Sequence, residues 1–315
     1  MRIVPRTNLP PGAWNDAVTA HPSGWWWHRE EWLRYQLAYR PGNRDVSFAV
    51  LDGAGAIVAL VPLLIARGGD GAPEFSFSGE PSPLACISTD ATGAIAAEEI
   101  ERLGRVCRVV RGLAASGPFD ASPPPPLVPG AITSAAHRVV MVSQPDAALW
   151  RDVRTSYRAL IHRGKRAHTI MTGAAAHLFF QYAALHLARY TTPRAEATYA
   201  LQAEWLRDGH AMVAVAERTG ACVGAAYWIV YKDSAYYGSG AYAEDNVSHA
   251  IIWRSLLALR ARGVRAVDLG WQGRARTEKE SAIEFQKRGF GGADVPVQIV
   301  EVAFDQATHP EGRNP

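Results

Sequence analysis

Four consecutive prolines at positions 123–126 divide the 315-residue chain into two parts. Proline has no amide hydrogen and clashes with the preceding turn of a helix, so this run fits neither a helix interior nor a central strand. We therefore interpret residues 117–135 as a connector. Because the chain is also longer than a single hydrophobic core usually grows, the sequence predicts two domains, residues 1–140 and 141–315.

A strand–turn–strand pattern recurs on both sides of the connector. Residues 49–58 read AVLDGAGAIV and residues 214–223 read AVAERTGACV, with five identical positions at one constant offset. A long helical pattern follows in each half, as a duplicated domain would leave it. Hairpins also converge by chance, and the sequence leaves that alternative open.

Hydrophobic periodicity predicts an α/β (α+β) chain in which helices and strands are interspersed. The predicted helices are residues 28–39, 94–115, 145–168, 174–190, 194–208, 247–262 and 277–288. The predicted strands are residues 46–52, 57–66, 211–217, 222–232, 234–241, 265–270 and 295–304.

Composition narrows the class of protein. The chain is 48% hydrophobic and 20% charged, which is typical of a globular protein and not of a disordered one. Its three cysteines, Cys86, Cys107 and Cys222, are scattered, which favours a reducing compartment. The N-terminus lacks the apolar segment of a secretory signal, and the longest near-apolar run, residues 54–66, is too short to span a bilayer. We therefore expect a cytoplasmic protein without membrane insertion.

The motifs that commonly anchor nucleotide, metal and serine-hydrolase chemistry are absent from the sequence. It contains no GxxxxGK[ST] loop, no GxSxG elbow, no HExxH helix and no GxGxxG turn between a strand and a helix. Its ten histidines are not paired at metal-ligand spacing. The sequence thus predicts no bound metal and no resident cofactor. The net charge of +3 permits a phosphate-bearing partner without requiring one, and we expect no DNA partner.

A strongly basic segment, residues 151–168, reads RDVRTSYRALIHRGKRAH. On a helix, like charges three or four residues apart repel each other, and a bound anion would relieve that repulsion. The segment therefore indicates a phosphate-binding surface for a nucleotide-linked or tRNA-linked substrate. A solvated charged face is the alternative. The cations singled out for binding are Arg158, Arg163, Lys165 and Arg166.

Two further segments carry candidate site residues. Residues 235–241, AYYGSGA, combine small residues with tyrosines, so a ligand backbone can approach closely beside hydroxyl groups; a packed central strand is the alternative. Residues 268–292 include a predicted helix with Lys279, Glu280 and Lys287 that ends in GFGG. Lys287 beside that turn is suited to stabilise an oxyanion, although cations at a helix C-terminus also simply complement the helix dipole.

These segments, in this order, resemble the FemABX peptidyltransferase-like family, the aminoacyltransferase branch of the GNAT superfamily. The resemblance covers residues 150–305, and its closing motif, KE..I..FKRGFGG, is the most specific part. The matching positions are residues 156–158, Ile161, 163–166, Gly224, 236–237, 239–241, Ser248, Trp253, 268–270, 279–280, Ile283 and 287–292.

The resemblance implies two tandem GNAT-like domains, each with a mixed, mostly antiparallel sheet flanked by helices. It also implies direct attack by an acceptor amine on an activated acyl donor, commonly aminoacyl-tRNA, with a cell-wall precursor or a small metabolite as acceptor. The product is an amide, and the pathway is peptidoglycan or natural-product biosynthesis.

Roles follow from the resemblance residue by residue. Lys287 would stabilise the tetrahedral oxyanion, with Tyr237 as a second catalytic residue beside Ser239 in the acyl site. The four cations of residues 151–168 would bind phosphate, and Trp271, Lys279 and Glu280 would also bind substrate. No general base is recognisable, and a poised water would take that role. Gln286 stands where the family has an aromatic residue, so the acceptor's identity does not carry over.

The donor is the main choice that the sequence leaves open. CoA-dependent GNAT enzymes hold the pyrophosphate on a glycine-rich loop at a helix N-terminus. Residues 243–249 here contain no glycine and two acidic residues, which favours aminoacyl-tRNA, bound through its acceptor-stem end, over acyl-CoA. An acyl-CoA-dependent N-acyltransferase and a non-catalytic module that binds an anionic ligand are the alternatives.

Overall fold

The computed structural model describes residues 1–119, 127–190, 194–275 and 277–304. The four prolines of the predicted connector lie outside these ranges. The chain forms two compact units, Met1–Ser134 with Val297–Pro315 and Ala135–Pro296. The division falls at Ser134, not at the predicted residue 140, and the last strand returns to the first unit because residues 299–303 pair with a strand there.

The first unit contains two β-sheets. Their strand orders are β1-β3-β4-β8 and β16-β9-β6-β5-β2, with β7 also paired to β9. The helices are α1 (Ala13–Ala20), α2 (Glu30–Tyr39) and α3 (Asp90–Val106). The strands are β1 (Arg2–Pro5), β2 (Arg44–Asp45), β3 (Phe48–Leu51), β4 (Ile57–Val61), β5 (Leu64–Arg67), β6 (Pro73–Phe75), β7 (Ser82–Pro83), β8 (Cys86–Ile87), β9 (Arg111–Ala115) and β16 (Ala293–Ala303), the last of which begins in the second unit.

Two sequence predictions in the first unit were wrong. The predicted helix 94–115 ends at Val106, because Arg108 adopts a left-handed φ of 55° and the chain then enters β9. The predicted strand 57–66 is two strands in different sheets, because Pro62 cannot continue the ladder between β4 and β5.

The second unit is one mixed sheet with helices. Its strand order is β11-β12-β13-β14-β15-β10, and every neighbouring pair is antiparallel except β14 with β15. This confirms, for this unit, the mixed, mostly antiparallel sheet that the family resemblance implies. The helices are α4 (Asp146–Asp152), α5 (Thr155–Ala167), α6 (Ala176–Arg189), α7 (Glu196–Arg207), α8 (Val247–Ala261) and α9 (Glu278–Arg288). The strands are β10 (Ala131–Met141), β11 (Thr169–Gly173), β12 (Ala211–Arg218), β13 (Ala221–Tyr231), β14 (Ser234–Tyr242) and β15 (Ala266–Gln272), the first of which begins in the first unit.

Helices cover both faces of this sheet. Trp228 of β13 packs in a core with Ile161 of α5 and Ile251 of α8. The adjacent Tyr227 contacts the ring of Tyr182 on α6 instead. Because successive residues of a strand point to opposite faces, α6 lies on the face opposite to α5 and α8.

The basic segment does not form one helix. The predicted helix 145–168 is broken at Val153, which is buried and extended, so α4 and α5 are separate. Tyr157, Ile161 and Gly164 form the buried face of α5 at helical spacing. Among the described helices, none combines the length and the apolar character needed to cross a membrane.

The packing of α5 on α8 depends on a glycine, which gives a prediction. A Cβ added to Gly164 would lie 2.6 Å from Cβ of Ala250, whereas a Cβ on Gly93 of α3 would meet its nearest atom at an ordinary 3.5 Å. We expect Gly164→Ala to destabilise the protein, because overpacking costs about 1–3 kcal/mol and exceeds a helix-propensity gain of about 1 kcal/mol. Gly93→Ala, the matched control, should be neutral or stabilising. Urea unfolding measures both, and equal effects of the two variants would contradict this packing.

Candidate active site

The two parallel strands in the sheet of the second unit, β14 and β15, separate towards their C-terminal ends. β14 and β15 pair only through residues 234–236 and 266–268, although β14 continues to Tyr242 and β15 to Gln272. We call the strand ends beyond the pairing, residues 237–242 and 269–272, the β14–β15 opening. In open sheets, ligands commonly bind at the carboxyl ends of parallel strands, so this opening is the candidate site.

Lys287 approaches the opening from α9. Its ammonium lies 3.5 Å from the carbonyl oxygen of Trp271, and its side chain is half-buried. Burial lowers the pKa of this ammonium below its ordinary value, while Asp268 and Glu284 act in the opposite direction. Glycine suits this position, because Gly270 has a φ of 92°, which other residues rarely adopt, and a Cβ there would crowd Nζ of Lys287 at 3.0 Å.

Both ends of α9 are anchored, which fixes Lys287 relative to β15. At the N-terminus, Thr277 and Glu280 form a capping box, with Thr277 N donating to Glu280 Oε2 at 3.1 Å. Near the C-terminus, the Gln286 amide donates to Ser248 Oγ at 2.8 Å, and Phe290 beyond the helix is buried. Gln286, which stands where the family has an aromatic residue, therefore connects α9 to the first turn of α8.

A buried Asp–His pair lies beside the same strand. Asp268 has no exposed surface; its Oδ2 is 2.7 Å from Nδ1 of His137, and its Oδ1 accepts a hydrogen bond from the Gly270 amide at 2.6 Å. The register between β10 and β15 shifts between His137 and Val139. At this irregularity, Asp268 and Trp271 both contact His137, whose ring lies 4.1 Å from the indole.

Sequence reasoning missed this pair. Asp268 stood within the matched motif 268–270 without an assigned role, and His137 was not singled out. The available signal was a carboxylate in the middle of an otherwise apolar strand, AVDLG, since a buried charge needs a partner.

Tyr237 and Ser239 lie in the opening, but each hydroxyl already has a tyrosine partner. The Tyr237 hydroxyl is 2.8 Å from that of Tyr242, and Ser239 Oγ is 2.6 Å from the hydroxyl of Tyr182. Burial raises the pKa of Tyr237 well above its ordinary value, and Tyr242 adds to the effect. Tyr237 is therefore a neutral hydrogen-bonding group at physiological pH, and its catalytic role stays a prediction.

The other predicted substrate-binding residues near α9 differ in their positions and contacts. Trp271 is at the opening, edge-on to His137 and 4.5 Å from the guanidinium of Arg274. Lys279 is exposed on the first turn of α9. Glu280 is used in the capping box, so the structure gives it a helix-positioning role. Their contacts with substrate stay predictions.

The predicted phosphate-binding cations also differ among themselves. Arg158 is used internally, because its guanidinium donates to the carbonyl oxygens of Val153 and Arg151 at 3.0 and 2.7 Å and so caps the end of α4. Arg163, Lys165 and Arg166 are exposed on α5 and make no hydrogen bond or ion pair with the described residues. These three cations remain available to an anion. In the described ranges, no group of three or more His, Cys, Asp or Glu side chains is arranged to hold a metal ion.

Comparison with known proteins identifies the fold. No family model matches the sequence. No curated protein matches it either. Solved structures do match: FemX has a TM-score of 0.66 at 10% sequence identity, covering 95% of this chain and 97% of FemX.

Two further structures agree with that match. The C-terminal domain of a putative lysylphosphatidylglycerol synthetase from Agrobacterium fabrum has a TM-score of 0.56 at 13% identity, covering 92% of this chain and 90% of that domain. A tandem GNAT protein from the clavulanic acid biosynthesis pathway has a TM-score of 0.55 at 17% identity, covering 98% and 99%. Identities this low establish the fold alone. The FemABX resemblance predicted from the motifs is therefore confirmed at the level of the fold: this chain has the GNAT-like fold of FemX and of the tandem GNAT protein.

Proposed function

We propose that this protein is an acyltransferase that transfers an aminoacyl group from aminoacyl-tRNA to the amine of a small molecule or cell-wall precursor. The observation that carries the proposal is the half-buried Lys287 ammonium, held against the backbone of β15 where β14 and β15 separate. The structural relatives support acyl or aminoacyl transfer, since they include FemX and a putative lysylphosphatidylglycerol synthetase. The donor and the acceptor rest on the sequence and on the charges described below.

The chemistry that Lys287 supplies is electrostatic. When the acceptor nitrogen attacks the ester carbonyl, negative charge develops on the carbonyl oxygen. A fixed ammonium stabilises that charge more strongly than water does, because it is already oriented and lies in a partly desolvated position. The neutral hydroxyls of Tyr237 and Ser239 would line the acyl group as hydrogen-bonding partners without changing charge.

Two observations bear on the donor. The exposed cations Arg163, Lys165 and Arg166 supply a surface for tRNA phosphates, and no glycine lies between residues 243 and 249 to cradle a pyrophosphate. One of the two acidic residues of that loop is a weaker objection to CoA than the sequence indicated. Glu244 is ion-paired to Arg218 at 3.1 Å, so its charge is compensated. An acyl-CoA donor is therefore the second candidate, and the missing glycine loop carries the preference for tRNA.

Lys287 gives the sharpest test by substitution. We expect Lys287→Met to lower kcat by roughly 10²- to 10³-fold with little change in KM, because the ammonium acts on charge that exists only in the transition state. Lys232→Met, in the turn between β13 and β14, is the matched control and should keep wild-type turnover. Thermal unfolding checks that both variants fold. Unchanged turnover in Lys287→Met would exclude Lys287 from the site.

The same residue sets an expected pH dependence. Because the protonated amine is the active form and burial lowers its pKa, the rate should fall with rising pH at a midpoint below 10.5, the ordinary value for lysine. Lys287→Arg keeps its charge throughout this range, so any residual activity should lose the alkaline decline. An identical alkaline decline in both proteins would assign it to another group.

The exposed basic face of α5 gives a prediction about the donor. Arg163 and Arg166 are three residues apart and share one side of the helix. We expect the double variant Arg163→Ala/Arg166→Ala to raise the Kd for aminoacyl-tRNA and to flatten the slope of log K against log salt by roughly 1.4–1.8, with kcat at saturating donor retained. Arg207→Ala/Lys232→Ala removes the same charge from other exposed positions of the unit and should leave the slope unchanged. Equal slopes in both double variants would contradict phosphate binding by α5.

A further inference from the structure

The described residues contain a group suited to the one role that the sequence left unfilled. We infer that His137 is the general base of the transfer and that Asp268 is its positioning residue. This inference rests on the proposed function, because a general base has meaning only for the attacking amine. It is carried by the hydrogen bonds of the pair and by its place beside Lys287.

The hydrogen bonds set the tautomer of His137. Asp268 accepts from the Gly270 amide on Oδ1 and lies 2.7 Å from Nδ1 of His137 on Oδ2. A carboxylate has only lone pairs to offer, so Nδ1 carries the proton and donates it. Nε2 of the neutral ring then carries the lone pair that a base needs.

Nε2 is also available to accept a proton. It has no hydrogen-bond partner in the described part of the chain, and it is not among the fully buried side-chain atoms that lack one. The residue as a whole is only 5% exposed, so the ring is fixed while this nitrogen keeps contact with solvent.

Other histidines of the second unit lack this combination. His168 also has a carboxylate partner, Glu244, but its second nitrogen is bonded to the carbonyl oxygen of Gly164 on its own helix. His186 has the Tyr199 hydroxyl on Nδ1, and its Nε2 is buried without a partner. His137 combines a buried carboxylate on one nitrogen with an accessible lone pair on the other.

The pair and Lys287 converge on one short segment of β15. Lys287 lies beside the carbonyl of Trp271, whose indole contacts the His137 ring, and it interacts electrostatically with Asp268. Arg274 stacks on the same indole. The neighbouring Arg138 is turned to Asp294 and to the carbonyl of Gly291. Asp268 is thus the charged group in direct contact with His137, while Lys287 and Arg274 contact its neighbour Trp271, and Glu284 acts on Lys287 and accepts from the Arg274 amide.

The proton transfers of this step balance with these groups alone. The acceptor nitrogen forms a bond to the carbonyl carbon, and electrons move to the oxygen beside Lys287. His137 Nε2 takes the proton from the nitrogen. As the tetrahedral intermediate collapses, the bond from carbon to the leaving oxygen breaks, and His137 returns the proton to that oxygen as a hydroxyl group. Asp268 stabilises the transient imidazolium and holds the ring.

The test compares His137→Asn with a control at another buried histidine. His137→Asn keeps an amide donor for Asp268 but removes the base. His28 of the first unit is 6% exposed and hydrogen-bonded through both nitrogens, so His28→Asn controls for loss of a buried imidazole. We expect kcat of His137→Asn to fall roughly 10²- to 10⁴-fold with KM within about twofold, and the acidic limb of its pH–rate profile to disappear. His28→Asn should retain the wild-type kcat per folded molecule and the acidic limb of the pH–rate profile.

Asp268→Asn tests the positioning role. It should lower kcat and displace or abolish the acidic limb, because the ring is no longer held in the productive tautomer. Should His137→Asn fail to fold, His137→Gln and nitrogen-15 NMR of the unsubstituted protein replace it. The NMR spectrum of the neutral ring should show His137 protonated on Nδ1 and not on Nε2.

The outcomes separate the two claims. Wild-type transfer together with unchanged kcat and acidic limb in His137→Asn would overturn this inference and leave the proposed function standing. An Nε2-protonated neutral His137 would overturn it independently of any activity. Absence of transfer by the unsubstituted protein from either donor would overturn the proposed function and this inference with it.

Discussion

A carboxylate without exposed surface organises the candidate site. Burying a charge is costly unless it is paired and hydrogen-bonded, and Asp268 has two hydrogen-bond partners and a lysine nearby that feels its charge. It accepts the Gly270 amide of its own strand, binds His137 of β10, and opposes the effect of burial on Lys287 of α9. Removing the carboxylate would take a hydrogen-bond acceptor from the His137 ring and from the Gly270 amide, and an opposite charge from the surroundings of Lys287. This residue therefore links the three parts of the candidate site.

Much of the second unit could be predicted from the sequence because its patterns are local. The predicted strands 211–217 and 222–232 correspond to Ala211–Arg218 and Ala221–Tyr231, where two apolar runs flank a Thr–Gly turn. The secondary structure of the first unit was harder to predict. Apolar residues recur beyond Val106, at Val109, Val110 and Leu113, and the left-handed conformation of Arg108 separates α3 from β9. Nor does any local pattern tell that residues 299–303 pair with β9, far earlier in the chain.

The site was predictable to the extent that it lies in one contiguous motif. Lys287 was identified from its place before GFGG, and the structure puts it at the opening. His137 and Asp268 are 131 residues apart, and they meet through the pairing of β10 with β15, which no local pattern predicts. The spacing of residues in the sequence also does not reveal that a side chain bonds to the protein's own backbone. Arg158 satisfies carbonyl groups at the end of α4 and Glu280 caps α9, although both had the charge expected of a substrate-binding residue.

The proposed reaction moves an aminoacyl group from tRNA to an amine. Its most direct measurement incubates the purified protein with radiolabelled aminoacyl-tRNAs, with and without ribonuclease, and in parallel with labelled acetyl-CoA, with a cell extract as the source of acceptor. We expect label to move from tRNA to a small amine-bearing molecule, and ribonuclease to abolish this transfer. Transfer from the thioester alone, unaffected by ribonuclease, would contradict the tRNA donor and make this protein a CoA-dependent N-acyltransferase.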